Sequence, residues 1–240
     1  MVDQKQLKAQ LGLDPSCPSI LLLSGGEGIG SLDKIAQVFS EKIFTELGPQ
    51  GAQLVIVCGR NEKMKARLEA IQWEIPIRIN GFVSNMHEWM LASDCIVTKA
   101  GPGTIAESLI VGLPIMLSSY LPGQETGNVT YVVENQVGSY SENPQVMAHT
   151  VCSWLKDPEL LADMKQRAKT LGKPKATLEI ARDIWNIHES IESGKSVLER
   201  LRIAKPRSLW KDIGFWLLIG GMTVIGIGLL FYGLHIPPFH

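Results

Sequence analysis

Residues 95–107 read CIVTKAGPGTIAE, an apolar strand that runs into two glycines and then into a segment with helical spacing. Three more apolar runs, Ser19–Ser24, Gln53–Cys58 and Pro114–Leu117, are each followed by a helical pattern. Apolar strands that alternate with helices are typical of a parallel sheet covered on both faces. The sequence therefore predicts an α/β fold, a doubly wound, Rossmann-like parallel sheet, over residues 19–190.

The chain outside this domain divides into three segments by composition. Residues 1–18 are polar and resemble a linker, and residues 191–212 form a polar, basic linker. Residues 213–234 read IGFWLLIGGMTVIGIGLLFYGL and contain no charge over 22 residues. Because an apolar run of this length can cross the hydrocarbon core of a bilayer, the sequence predicts one C-terminal transmembrane helix.

The distribution of charge predicts which partners the chain has. Basic residues precede the apolar run, whereas the tail after it, HIPPFH, carries no Lys or Arg. Since positive residues stay on the cytosolic side, we expect a single-pass membrane protein with the large domain in the cytosol or the stroma. The 23 basic and 24 acidic residues nearly cancel, which argues against a nucleic-acid partner.

The loops after the strands hold the candidate binding residues, because ligands of open parallel sheets lie at the carboxyl ends of the strands. The first loop contains Gly25, Gly26 and Gly28, where backbone N–H groups can approach a phosphate. Its spacing is not the dinucleotide fingerprint, and Ser31 stands where a P-loop has a lysine. From the sequence alone, a tightly packed turn explains these glycines equally well.

The loop after Cys95–Thr98 is the stronger candidate. Gly101 and Gly103 open the backbone, and Thr104 is expected to cap a helix whose positive end faces the ligand edge. Lys99 adds positive charge, so a diphosphate would fit there without a metal ion. Glu107, one turn into the helix, is a candidate acceptor for ribose hydroxyls, and an ordinary helical glutamate is the alternative.

The segment YLPGQETGN, residues 120–128, concentrates amide and carboxylate groups after the fourth strong strand: Gln124, Glu125 and Asn128. These groups suit a polyhydroxyl ligand such as a hexose, and a solvated loop is the alternative. We find neither a DxD motif nor histidines at metal-ligand spacing, so we expect no metal and no other cofactor. No catalytic residue is assigned from the sequence.

Four strings of the sequence resemble the C-terminal domain of monogalactosyldiacylglycerol synthases, which have the glycosyltransferase B fold. The strings are LLLSGGEGIG, IVCGRN, INGFVSNMHEWMLASDCIVTKAGPGTIAE and PGQETGN. They occur in the order found in that family and cover roughly residues 10–190. The resemblance implies that this domain is the C-terminal half of a B-fold enzyme and binds a UDP-sugar donor.

The resemblance also implies a role for each loop. Gly25, Gly26 and Gly28 would approach the donor phosphates, residues 101–104 would hold the diphosphate, and Glu107 would bind the ribose. The group around the uracil ring would comprise Arg60, the backbone at Phe82 and Val83, and Met86. The sugar would contact Gln124, Glu125 and Asn128.

The implied reaction transfers galactose from UDP-galactose to diacylglycerol, with inversion at the anomeric carbon and without a metal. The choice of galactose depends wholly on the resemblance. Met1 falls where the family has its interdomain linker, so we expect the lipid acceptor and the catalytic base to be held by an acceptor domain or a partner protein.

Two other functions stay open from the sequence. One is a non-catalytic, membrane-tethered UDP-sugar-binding subunit. The other is an oxidoreductase in which Arg60 holds an NADP phosphate, which the missing GxGxxG spacing disfavours.

Overall fold

The computed structural model describes residues 3–23 and 32–192, and these contain six strands and nine helices. The strands are β1 (Ser19–Leu23), β2 (Gln53–Val57), β3 (Ile77–Asn80), β4 (Cys95–Lys99), β5 (Ile115–Ser119) and β6 (Gly138–Tyr140). The helices are α1 (Gln4–Gln10), α2 (Leu32–Leu47), α3 (Glu62–Glu69), α4 (Met86–Ala92), α5 (Pro102–Val111), α6 (Thr126–Glu134), α7 (Pro144–Lys156), α8 (Pro158–Leu171) and α9 (Ala176–Glu192).

The six strands form one parallel sheet in the order β3-β2-β1-β4-β5-β6. Alternate residues of a strand point to opposite faces, so Ile20 and Leu22 join one apolar cluster and Leu21 joins the other. Helices α2 and α7 cover the first face, and α4 and α5 cover the second. The prediction of a doubly wound parallel α/β sheet is confirmed.

Three local features differ from the sequence prediction. Helix α5 begins at Pro102, two residues before the predicted Thr104, because the fixed φ of proline suits the first helical position. Strand β6 was not anticipated, since Gly138-Ser-Tyr is short and contains no apolar run. Helix α1 lies in the segment expected to be a linker, and the Asp3 carboxylate caps it by accepting from the Lys5 N–H at 3.0 Å.

The predicted transmembrane helix requires a correction. Among residues 3–23 and 32–192, no helix is long and apolar enough to cross a membrane. The longest of them, α9, has 17 residues and carries Glu179, Arg182 and Asp183, whereas a span needs about 20 apolar residues. Residues 213–234, to which the span was assigned, lie outside the described residues. The fold class is therefore corrected to the α/β sheet without that helix, and the single-pass membrane localisation is withdrawn with it.

The chain separates into two compact units, Met1–Lys173 and Pro174–His240. The first unit holds the whole sheet and helices α1 to α8. In the second unit the described element is α9, an amphipathic helix on which Leu178, Ile184 and Trp185 are exposed.

A half-buried carboxylate, Asp94, ties three segments of the first unit together at the amino end of the sheet. Its Oδ2 atom accepts from Lys8 Nζ and from the Ser19 N–H, both at 2.9 Å. Its Oδ1 atom accepts from Lys165 Nζ at 2.8 Å. Burial by itself would raise the pKa of Asp94, but the two ammonium groups and the Ser19 N–H outweigh burial and hold this pKa below its usual value. The carboxylate thus joins α1, β1 and α8.

We expect Asp94→Asn to lower the free energy of unfolding at pH 7 by about 3 kcal/mol, because Lys8 would be left buried without its counter-charge. The Lys8 side chain is only 6% exposed. Since the folded pKa of Asp94 is lowered, its stabilisation is complete above the unfolded pKa of about 3.9 and is lost as the pH falls through the folded value. Urea unfolding at a series of pH values measures this difference.

The matched control is Asp163→Asn, because this carboxylate is 76% exposed and lies 4.0 Å from Arg167. We expect it to change the free energy of unfolding by less than about 0.5 kcal/mol. Equal effects of the two substitutions would contradict the role given to Asp94.

Candidate functional site

The loops that follow the six parallel strands share one edge of the sheet. At its centre β1 and β4 are neighbours, and the helices that follow them, α2 and α5, cover opposite faces. Ligands of open α/β sheets bind at such a switch point. The loop after β1, with Gly25, Gly26 and Gly28, lies outside the described residues. The described part of the candidate site therefore consists of the loops after β2, β3, β4 and β5.

The end of β4 is irregular at the point where the site begins. Thr98 pairs with Leu117 of β5, but Lys99 pairs with Ser119, so the register shifts by one residue. The Ala100 N–H then donates to the carbonyl of Ser119 at 2.8 Å. Such bulges redirect the chain at the end of a strand. Here the redirected chain leads into α5.

The amino end of α5 is open to the solvent edge. Gly101 is its N-cap residue and makes no side-chain capping bond, and Pro102 and Gly103 are exposed. Thr104 lies within the first turn, so it does not cap the helix as predicted. The first N–H groups of an α-helix have no acceptor within the helix, and the dipole makes this end positive. The arrangement is suited to binding an anion.

The glycines of this loop are not required by the fold. Gly101 has φ −69°, a value that any residue adopts. Among the described residues, a Cβ atom added to Gly103 would meet no heavy atom within 4 Å, and one added to Gly101 would lie 3.5 Å from Lys99 Cε, an ordinary contact. No residue in ranges 3–23 and 32–192 therefore occupies the space next to Gly103.

Lys99 and Glu125 form an ion pair across two loops. Lys99 Nζ donates to Glu125 Oε1 at 2.9 Å, and the second carboxylate oxygen accepts from the Leu121 N–H at 2.8 Å. Burial by itself would raise the pKa of Glu125, but its bonds to Lys99 and Leu121 hold the pKa below its usual value. The Lys99 side chain stays 35% exposed, so it remains accessible to solvent while it is paired.

The loop after β5 begins with a tight turn at Leu121–Gln124. The Gln124 N–H donates to the carbonyl of Leu121 at 3.2 Å, and Gly123 has φ +84°. Proline followed by glycine at the two central positions is the signature of a type II turn. The turn leaves Gln124 exposed, whereas Glu125 and Asn128 are each only 7% exposed.

Arg60 and Phe82 follow β2 and β3 at the same edge. The guanidinium carbon of Arg60 lies 5.4 Å from the centroid of the Phe82 ring, and this ring is 66% exposed. Val83 is half-buried next to it in the chain, and Met86 begins α4. An exposed aromatic ring beside a guanidinium group offers a surface on which a nucleobase can stack.

The structure adds two tyrosines that the sequence analysis missed. Tyr120 follows β5 and Tyr140 ends β6, and their rings meet edge to face with centroids 5.5 Å apart. The Tyr140 hydroxyl donates to Glu142 at 2.6 Å, and burial together with this carboxylate raises the pKa of Tyr140 to about 12. Tyr140 could not be placed at this edge from the sequence, because the short polar sequence of β6 has no recognisable strand pattern. Glu107, by contrast, lies on the exposed surface of α5 as expected.

Comparison with known proteins gives the family. Residues 20–179 match the family described as the glycosyltransferase family 28 C-terminal domain. The chain belongs to this family.

Two curated relatives of this family 28 domain are plant proteins. Probable monogalactosyldiacylglycerol synthase 3, chloroplastic, of Oryza sativa subsp. japonica is 47% identical over 183 residues, which are 75% of this chain and 36% of that protein. Monogalactosyldiacylglycerol synthase 1, chloroplastic, of Arabidopsis thaliana is 42% identical over 197 residues, 80% of this chain and 36% of that protein. The resemblance found in the sequence is confirmed, and the chain spans about a third of the length of these relatives.

A solved structure shows the same fold. The crystal structure of Acinetobacter baumannii MurG has a TM-score of 0.56 and 18% identity, covering 72% of this chain and 51% of that one. At this identity the likeness concerns the fold alone.

The surroundings of Gly103 in α5 and of Gly138 in β6 predict opposite effects of replacement by alanine. We expect Gly103→Ala to raise the free energy of unfolding by about 0.5 kcal/mol, because alanine favours a helix and its Cβ meets no atom of the described residues within 4 Å. Gly138→Ala should lower it by more than about 1 kcal/mol, because the added Cβ would overlap the carbonyl oxygen of Ile115. Chemical denaturation measures both values, and destabilisation by Gly103→Ala would show that the space is not open.

Proposed function

We propose that this family 28 domain binds the UDP-galactose donor of an inverting glycosyltransferase that adds galactose to diacylglycerol. The observation that carries the proposal is the amino end of α5, where Gly101 makes no side-chain capping bond within the described part of the chain, Pro102 and Gly103 are exposed, and Lys99 stands two residues earlier. The names of the plant relatives supply the sugar and the lipid.

In this proposal the donor diphosphate lies at Gly101, Gly103 and Thr104, with Lys99 at its side. Transfer of the sugar leaves negative charge on UDP, and the helix N–H groups together with the ammonium group stabilise that charge without a metal ion. The glycines of the first loop, Gly25, Gly26 and Gly28, are proposed to approach the same phosphates on the strength of the family resemblance alone.

The remaining donor contacts are proposed from the positions of the exposed side chains. The Arg60–Phe82 pair, with Val83 and Met86, offers its flat surface to the uracil ring. Glu107, which is exposed on α5, accepts from the ribose hydroxyls. Gln124, exposed at the type II turn, contacts the hexose.

The acceptor is proposed to be a diacylglycerol-type lipid held by an acceptor domain or by a partner protein. The support is the length of the relatives, since the matching segment is 36% of each. The catalytic base would belong to that second part.

Calorimetric titration of the full 240-residue chain in metal-free buffer tests the proposal. The ligands are UDP, UDP-galactose, UDP-glucose and NADPH. We expect the uridine nucleotides to bind and NADPH not to bind. A folded chain that binds no uridine nucleotide, or that prefers NADPH, would contradict the proposal. Binding of donor without turnover, once an acceptor protein is supplied, would favour a non-catalytic donor-binding subunit.

The ribose contact has its own prediction. Glu107→Ala should weaken UDP binding by about 1–3 kcal/mol, which is the effect of losing a hydrogen bond to a charged group. Glu134→Ala, an exposed glutamate near the end of α6, is the control and should leave the dissociation constant of UDP unchanged. Unchanged UDP affinity in folded Glu107→Ala would remove Glu107 from the site.

The diphosphate contact predicts that Gly103→Ala loses affinity without losing stability. The added methyl group would occupy the space that a phosphate needs, so we expect UDP to bind at least about tenfold more weakly. The dissociation constant from calorimetry, compared with the free energy of unfolding of the same variant, separates binding from folding. Wild-type affinity of Gly103→Ala for UDP would place the diphosphate elsewhere.

A further inference from the structure

The first turn of α6 faces the loop that leads into α5. Glu125 is the N-cap residue of α6 and Asn128 lies three residues later, so both side chains project from one side of the helix. The family resemblance assigns both to the sugar. Their contacts in the structure are with the protein itself.

Asn128 is bonded to the backbone between β4 and α5. Its Nδ2 atom donates to the carbonyl oxygen of Ala100 at 2.8 Å, and the residue is 7% exposed. Ala100 also donates its N–H to Ser119, and Gly101 donates its N–H to the carbonyl of Lys99 at 2.8 Å. The Asn128 amide therefore fixes the peptide that immediately precedes the open end of α5.

Glu125 connects the same loop to the turn that carries Gln124. One carboxylate oxygen binds Lys99 and the other binds the Leu121 N–H. Both oxygens have protein donors, and the side chain is 9% exposed. Each carboxylate oxygen could still accept a second hydrogen bond, but the burial of this side chain leaves little surface that a hexose could reach.

We propose, on the basis of the proposed donor-binding function, that Asn128 and Glu125 are positioning residues instead of sugar ligands. Asn128 sets the orientation of the Ala100–Gly101 peptide, whose own N–H is bonded to Lys99, and hence of the Gly103 and Thr104 N–H groups that receive the diphosphate. Glu125 sets the distance between Lys99 and the turn that presents Gln124. Recognition of the hexose within this loop then belongs to Gln124, the exposed member of the three.

Comparison of two ligands on matched variants of the full chain tests this proposal. Calorimetry gives the dissociation constants of UDP, which has no hexose, and of UDP-galactose. Asn128→Ala should weaken both by a common factor of about ten. Asn128→Asp should behave likewise, because aspartate has no N–H to donate to Ala100, although it could still accept from a sugar hydroxyl.

Gln124→Ala should weaken UDP-galactose and leave UDP unchanged. Thr130→Ala, an exposed position on α6, is the control and should change neither. If Asn128→Ala weakens UDP-galactose alone, or neither ligand, the proposal is overturned. The binding stoichiometry and the melting temperature of each variant show whether it is folded.

A nuclear magnetic resonance measurement on the wild-type chain tests the same proposal. In a sample labelled with ¹⁵N-asparagine, the side-chain amide signals of Asn128 should shift when UDP binds and should shift no further when UDP-galactose replaces it. A shift produced by UDP-galactose alone would identify Asn128 as a sugar ligand and overturn the proposal. Failure of the wild-type chain to bind UDP is a separate result, which would overturn the proposed function and this inference together.

Discussion

β1 pairs in parallel with β2 on one side and with β4 on the other, and the rest of the structure depends on this arrangement. Parallel strands bring their carboxyl ends to one edge, so loops that are distant in the sequence become neighbours there. A parallel sheet is stable only when helices cover both faces, which is why β1, β2 and β4 are almost wholly apolar and buried. Because α2 and α5 cover opposite faces, this edge has the switch point at which open α/β sheets bind their ligands.

The two edges of this sheet differ in how their charges are paired. At the amino edge, Asp94 is enclosed by Lys8, Lys165 and the Ser19 N–H, and its charge is matched within the protein. At the carboxyl edge, the amino end of α5 has no side-chain cap and Lys99 stays partly exposed. The ion pairs of Asp94 stabilise the domain, because each charge has a partner within the protein. The positive potential at the amino end of α5 is instead available to an anion.

The sequence predicted the sheet because its strands are long apolar runs and its helices have periodic apolar residues. It missed β6 and α1, since neither has a run long enough to produce such a pattern. The loops of the candidate site were predictable because glycines, Lys99 and the amides follow strands directly. The orientation of Glu125 and Asn128 was not, because their partners, Lys99 and Ala100, are 26 and 28 residues away along the chain. The residue type shows which groups a side chain can bind, but the fold is needed to show which hydrogen bonds it already makes within the protein.

The loops after β4 and β5 are proposed to form one donor site at the carboxyl edge. Hydrogen–deuterium exchange of the full chain, with and without saturating UDP-galactose, tests it most directly. We expect slower amide exchange in peptides covering residues 99–107 and 120–128, and unchanged exchange in α1 at Gln4–Gln10. Unchanged exchange in both loop peptides at saturation would rule out this site and place the nucleotide sugar at another part of the chain.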